Sequence, residues 1–146
     1  MQHILRPFLW LTVAGTFALV LQSCNPVIAR FMSRSVAQLN RPVELLETRI
    51  ANPILQNPGI AVLWVGHATV LIQIHDKVFL TDPLFSKTVG MIVRRYVEPG
   101  LEPESIPHVD FTLISHTHFD HFSYSSLDRI PQNGSLLIPW GALRYT

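Results

Sequence analysis

Residues 115–122 read SHTHFDHF. Within this run stand four groups able to bind a cation: His116, His118, Asp120 and His121. On an extended turn His116 and His118 project to the same side and can grip one ion, because side chains alternate along such backbone. Asp120 and His121 then turn toward a second position nearby. Imidazole nitrogens suit zinc, and a carboxylate adds charge that holds a second ion and orients a bound water. Asp120 is therefore a candidate both as ligand and as catalytic group. The bland alternative is a polar loop that happens to be rich in histidine. The interleaved carboxylate at this spacing argues against it.

The segments on either side of the run suit that purpose. Residues 109–115 (VDFTLIS) read as a buried strand, so the ligands would sit at the tip of a fixed element. Residues 123–130 predict a short helix with Ser123 or Ser125 as its cap. Pro131 to Gly134 turn the chain into a further strand, 135–139. Upstream, 60–65, 69–75 and 78–81 are rich in Val, Ile, Leu and Trp and predict three strands. Their short links, at Gly66 and at His75-Asp76-Lys77, favour antiparallel pairing. Asp82-Pro83 stops the third strand. Residues 85–108 form a long connection rich in Pro and Gly, a length that points to function. Residues 25–58 read as a tether with short helical pieces interrupted by Pro42.

Composition narrows the partners. A chain of 146 residues with formal charge +1 and scattered basic side chains does not suit nucleic acid, which needs concentrated positive charge. The single cysteine excludes a disulfide framework and a Cys-rich zinc site. Hydrophobic residues make up 48% of the chain and charged ones 14%, partly because 8–21 is almost wholly apolar. That run is shorter than a membrane span and fits an export signal. Residues 21–24 (LQSC) look like a lipoprotein cleavage box, so Cys24 is a candidate for lipidation. The alternative is an uncleaved anchor, which Arg30 and Arg34 on the following side would orient. Either way 1–24 predicts attachment to a membrane, in a bacterial cell envelope.

The run at 116–121 after Leu-Ile-Ser resembles the metallo-beta-lactamase superfamily. WVGHATVL at 64–71, FLTDP at 79–83 and the IPxVD stretch at 106–110 are similar to the branch containing N-acyl-phosphatidylethanolamine phospholipase D and its bacterial relatives. The resemblance covers 60–146. It implies an α/β (α+β) fold, with 59–146 as the N-terminal half of an αββα sandwich of mostly antiparallel sheet. It implies two zinc ions, iron or manganese being acceptable to the same donors. His116 and His118 would bind the first ion, Asp120 and His121 the second. Asp82 would be a carboxylate supporting the metal loop.

The implied activity is hydrolysis by a zinc-bound hydroxide, with a membrane phosphodiester as substrate or, next, a lactone or other ester of a small molecule. His67, at the bend after Gly66, could reach the metal pocket as a catalytic or substrate contact, or be satisfied by the sheet backbone. Arg94 and Arg95 could meet a phosphate bidentately, or be a solvated loop. Ser123 stands where the family often has Asp. The family's second half, with a third histidine, a bridging aspartate and a final histidine, has no counterpart up to Thr146. Asp128 sits on the predicted helix. A truncated, catalytically inactive fragment with exposed apolar strands is therefore the competing expectation.

Overall fold

The computed structural model describes residues 26–89, 93–131 and 133–142. The expected export or anchor segment 1–24, with Cys24, lies outside them. Contacts divide the chain into two units, 1–37 and 38–146.

Among the described residues of the first, a single helix, α1 (Pro26–Gln38), stands where short pieces were expected. Proline is tolerated in the first turn, where its missing N–H has no helical partner. The helix ends before Arg41-Pro42, because the residue preceding a proline disfavours helical backbone.

The second unit is built on a five-stranded sheet. Its strands are β1 (Ile60–Gly66), β2 (Thr69–Ile74), β3 (Lys77–Thr81), β6 (Phe111–Leu113) and β7 (Ser135–Leu137), in the order β1-β2-β3-β6-β7. The two hairpins are antiparallel as expected, whereas β3–β6 and β6–β7 are parallel. A small antiparallel pair, β4 (Thr88–Val89) with β5 (Val93–Arg94), lies in the crossover from β3 to β6. A 3-10 turn, Pro103–Ser105, follows it. The crossover from β6 to β7 holds the histidine run and α2 (Tyr124–Leu127). The last two strands and α2 are shorter than the sequence predicts. Ser123 occupies the N-cap position of α2 without a side-chain capping bond.

Strand alternation gives the sheet two unlike faces. One carries Leu71, Val78 and Leu80, all buried. Against it pack Leu101, Ile106 and Val109 from the long connection and Ile130 beyond α2. The connection is thus core as much as loop, since its prolines let an irregular chain present apolar side chains inward. Residues 38–58, expected as a tether, also bind the domain. Glu44 N–H donates to Tyr96 O (2.8 Å), Ile50 N–H to Gly100 O (2.9 Å), and Gln73 brackets Leu55 by accepting from its N–H and donating to its carbonyl. Arg49 pairs with Glu98 and Glu102.

The other face is also apolar. Cross-strand register aligns Val62, Ile72, Phe79 and Phe111 in one row and Trp64, Val70, Leu113 and Leu137 in the next. Phe79 stacks on Phe111 with ring centroids 5.1 Å apart. Yet Ile60, Val62 and Trp64 are 65–69% exposed. A half-sandwich predicts such a face, apolar but without a second layer among the described residues.

Direction is what places the site. In β1-β2-β3 two reversals make β1 run parallel to β3, and β6 and β7 follow the same way. The carboxyl ends of four strands therefore share one edge of the sheet. His67, Asp82, Ser115 and Leu137 each stand at or just past such an end. Loops leaving the carboxyl ends of parallel strands converge on a crevice.

Candidate metal centre

The backbone is unusual at each of these strand ends. A register shift between Trp64 and Gly66 breaks the β1–β2 ladder. Gly66 then takes φ 138° and His67 φ 55°. A bulge of this kind re-aims the next side chain, and a non-glycine residue in left-handed backbone persists only when its surroundings hold it there. Here Trp64 Nε1–H donates to His67 O at 2.9 Å. The result turns His67 toward the metal loop, with its Nε2 3.5 Å from Asp120 Oδ2.

Asp82 also has positive φ, 37°. It is buried, and both its carboxylate oxygens are engaged. Oδ1 accepts from Ser115 N–H (2.7 Å), and Oδ2 accepts from Ser115 Oγ–H (2.7 Å) and pairs with His121 Nδ1 (2.9 Å). Burial alone pushes its pKa up, but the bonds from His121 and Ser115 outweigh that and hold it below 3.8. Thr69 pins this corner from below. Its hydroxyl donates to Asp82 O (2.8 Å) and accepts from Leu84 N–H (2.9 Å). The sequence reading missed Ser115 and Thr69. Ser115 could have been suspected from its place beside the histidines, whereas nothing local marks Thr69.

The loop itself closes as a tight turn, in which His121 and Phe122 N–H both donate to His118 O at 2.9 and 2.8 Å. His116 Nε2 lies 3.1 Å from His118 Nδ1, and His121 Nε2 3.6 Å from Asp120 Oδ2. His116 Nδ1 contacts Ser115 Oγ at 2.9 Å, and its ring centroid is 4.0 Å from that of His121. These contacts define two trios, His116-His118-Asp120 and His67-Asp120-His121. Within each, the donor atoms lie within 4.8 Å of one another. A tetrahedral ion with bonds of about 2.0–2.1 Å needs donors about 3.4 Å apart. The measured separations of 3.1, 3.5 and 3.6 Å fall around that value. Three of the six donor pairs thus stand at the spacing a metal requires, and the others lie within 4.8 Å. Asp82 holding Nδ1 of His121 leaves Nε2 to face the cation, the arrangement that fixes the tautomer of a ligating histidine.

A cavity of about 610 Å³ adjoins this corner, lined largely by apolar groups including Trp64, Val89, Val93 and Tyr96, with His67 on its wall. A smaller one, about 310 Å³, lies between His116 and Trp140. Arg94 and Arg95 also border the larger cavity. Arg95 is buried, with Nε and Nη2 donating to the carbonyls of Ser86 (3.2 Å) and Leu84 (2.5 Å). Burial pushes its guanidinium pKa down. Its visible role is to tie the β4–β5 hairpin to the segment after Asp82. Arg94 Nε is buried and has no hydrogen-bond partner among the described residues. Both side chains thus stand at the wall of the larger cavity, Arg95 with two of its nitrogens engaged by backbone carbonyls. His75 is exposed, and His108 lies 3.7 Å from Asp110, away from the site.

The chain is similar to several known proteins over part of its length. The chain is 34% identical over 76 residues to N-acyl-phosphatidylethanolamine-hydrolyzing phospholipase D 1 of Caenorhabditis elegans, covering 49% of the chain and 21% of that protein. It is 41% identical over 72 residues to a metal-dependent hydrolase of Anaeromyxobacter sp. (strain K), covering 49% and 24%. The chain thus spans about a fifth to a quarter of the length of these curated relatives. Among solved structures, the isothiocyanate hydrolase from Delia radicum gut bacteria superposes with a TM-score of 0.45 at 23% identity, covering 53% of this chain and 33% of that one. The profile of the beta-lactamase superfamily domain matches residues 61–146, more than half of the chain. On that match, and with its sheet and histidine loop, the chain belongs to the beta-lactamase superfamily.

Proposed function

We propose that residues 59–146 form the cation-binding side of a hydrolase that cleaves phosphodiesters with an activated water. The observation carrying this reading is the pair of donor trios that share Asp120. His116, His118 and Asp120 would hold one ion. Asp120 and His121 would hold the second, joined by His67. Zinc is the proposed metal, because tetrahedral imidazole and carboxylate sites suit it. When bound, such ions lower the pKa of water to about 7 and offset negative charge on the attacked group.

The chain's own residues do the positioning. Asp82 and Ser115 hold His121 and His116, and the apolar cavity beside His67 gives the non-reacting part of a substrate a place to lie. The Caenorhabditis relative cleaves a phospholipid, which supports a lipid phosphodiester as substrate. A lactone or other ester is the next choice. We also place the chain at a membrane of a bacterial cell envelope, through 1–24.

The test is metal analysis of the purified chain after zinc loading and dialysis, followed by hydrolysis of bis(p-nitrophenyl) phosphate and p-nitrophenyl butyrate. Retention of zinc that H116A/H118A reduces supports the site, and a chain that stays metal-free overturns it. Faster turnover of the diester supports the phosphodiesterase reading. A second reading, favoured by the exposed apolar sheet face, is that this chain holds metal but does not turn over. Zinc retention without hydrolysis of either compound is its signature.

A further inference from the structure

The side chains of helix α1 (Pro26–Gln38) are sorted by character. At 3.6 residues per turn, Ile28, Phe31, Met32, Ser35 and Val36 fall on one side. Arg30, Ser33, Arg34 and Ala37 fall on the other. Ser35 is the single buried residue of the helix, while Ile28, Phe31, Met32 and Val36 around it are 43–59% exposed. Arg30 and Arg34 are exposed as well. No described helix is long and apolar enough to cross a membrane, and α1 has 13 residues where a span needs about 20.

Charge selects the occupant of the apolar side. From residue 1 to 43 the charged side chains are Arg6, Arg30, Arg34 and Arg41, with no Asp, Glu or Lys. A protein partner of ordinary mixed surface does not call for such one-sided charge, whereas an anionic lipid surface does. A short helix with an aromatic and aliphatic face opposite arginines suits the boundary between headgroups and acyl chains. There the apolar face enters the lipid and the guanidinium groups meet phosphate. We infer that α1 lies in the plane of an anionic lipid surface, with Ile28, Phe31, Met32 and Val36 in the acyl region and Arg30 and Arg34 at the headgroups. This contact is separate from whatever the apolar run at 8–21 does. It does not depend on the hydrolase reading.

The full chain carrying C24S, with single cysteines introduced in turn at 28, 31, 32, 30, 33 and 34, is labelled with an environment-sensitive fluorophore. It is then mixed with vesicles of equal parts phosphatidylglycerol and phosphatidylcholine. Labels at 28, 31 and 32 should shift to the blue and be shielded from an aqueous quencher, while those at 30, 33 and 34 should not. This helical pattern distinguishes α1 from simple anchoring by 8–21, which does not sort neighbouring positions. R30Q/R34Q should raise the anionic lipid needed for half of that shift on the order of tenfold. Labels at 28, 31 and 32 that stay exposed with vesicles, or are already shielded without them, overturn the inference. An equal shift in pure phosphatidylcholine overturns the role given to the arginines.

Discussion

Asp82 gathers the metal corner with two oxygens, taking both donors of Ser115 and Nδ1 of His121. Removing that carboxylate leaves His121 free to rotate, so D82A should weaken zinc affinity about 10–100-fold. Chelator competition on the folded variant measures this, and unchanged affinity would contradict the role. His67 makes a sharper test, because it belongs to only one trio. H67A should weaken the second equivalent of metal and leave the first in place. Titration with cobalt, whose absorption reports each equivalent, separates the two. Loss of both equivalents together, or of neither, would show that the two seats are not built as proposed. The motif histidines were legible from spacing alone. His67 was legible only as a residue at a bend, because what aims it is a bulge and a left-handed backbone that no local pattern announces.

At the scale of elements, the join between β3, β6 and β7 rests on two small features. Asp110 Oδ2 accepts from Val78 N–H at 2.8 Å and Oδ1 from Lys77 Nζ at 3.2 Å, while its backbone carbonyl accepts from Ser135 N–H at 2.8 Å. The bond from Val78, and then Lys77, hold its pKa below 3.8 against the opposing effect of burial. Folding thus favours the ionised form. Its contribution is complete above 3.8 and disappears as pH falls through the lowered value. Urea midpoints taken downward through this window should fall more steeply for the wild type than for D110N; parallel curves would remove Asp110 from the account. Gly134 is the other feature. A Cβ there would meet Val109 O at 2.0 Å and Asp110 O at 2.5 Å, both backbone atoms that cannot step aside cheaply. G134A should cost on the order of 3 kcal/mol, read as a drop in thermal midpoint. The sequence marks Gly134 as part of a turn. That it also lets two parallel strands close up depends on neighbours far away in the chain.

For the molecule as a whole, the decisive property is a sheet covered on one side only among the described residues. Leu71, Val78 and Leu80 are sealed by the long connection, whereas Ile60, Val62 and Trp64 face outward. An apolar patch of this kind promotes association. I60S/V62S should therefore lower aggregation and binding of a hydrophobic dye while leaving the thermal midpoint within a few degrees, since both side chains are about two-thirds exposed and little packing is lost. Light scattering against concentration checks it. A large fall in midpoint would mean that this face is already packed in solution.

The sequence alone determined the local chemistry and the periodicities. Four ligands within one short run, three apolar strands with tight links, and the family resemblance need only nearest neighbours along the chain to be read. Tertiary structure decided which distant residues meet. The parallel addition of β6 and β7 brings His67, Asp82 and His121 to one edge, assigns the long connection to the core, and makes Arg95 a tie between the β4–β5 hairpin and the segment after Asp82. These outcomes depend on strand direction and on who supplies each buried polar group with a partner. Such properties belong to the assembled sheet, because hydrogen bonds and burial are satisfied in space and not along the chain.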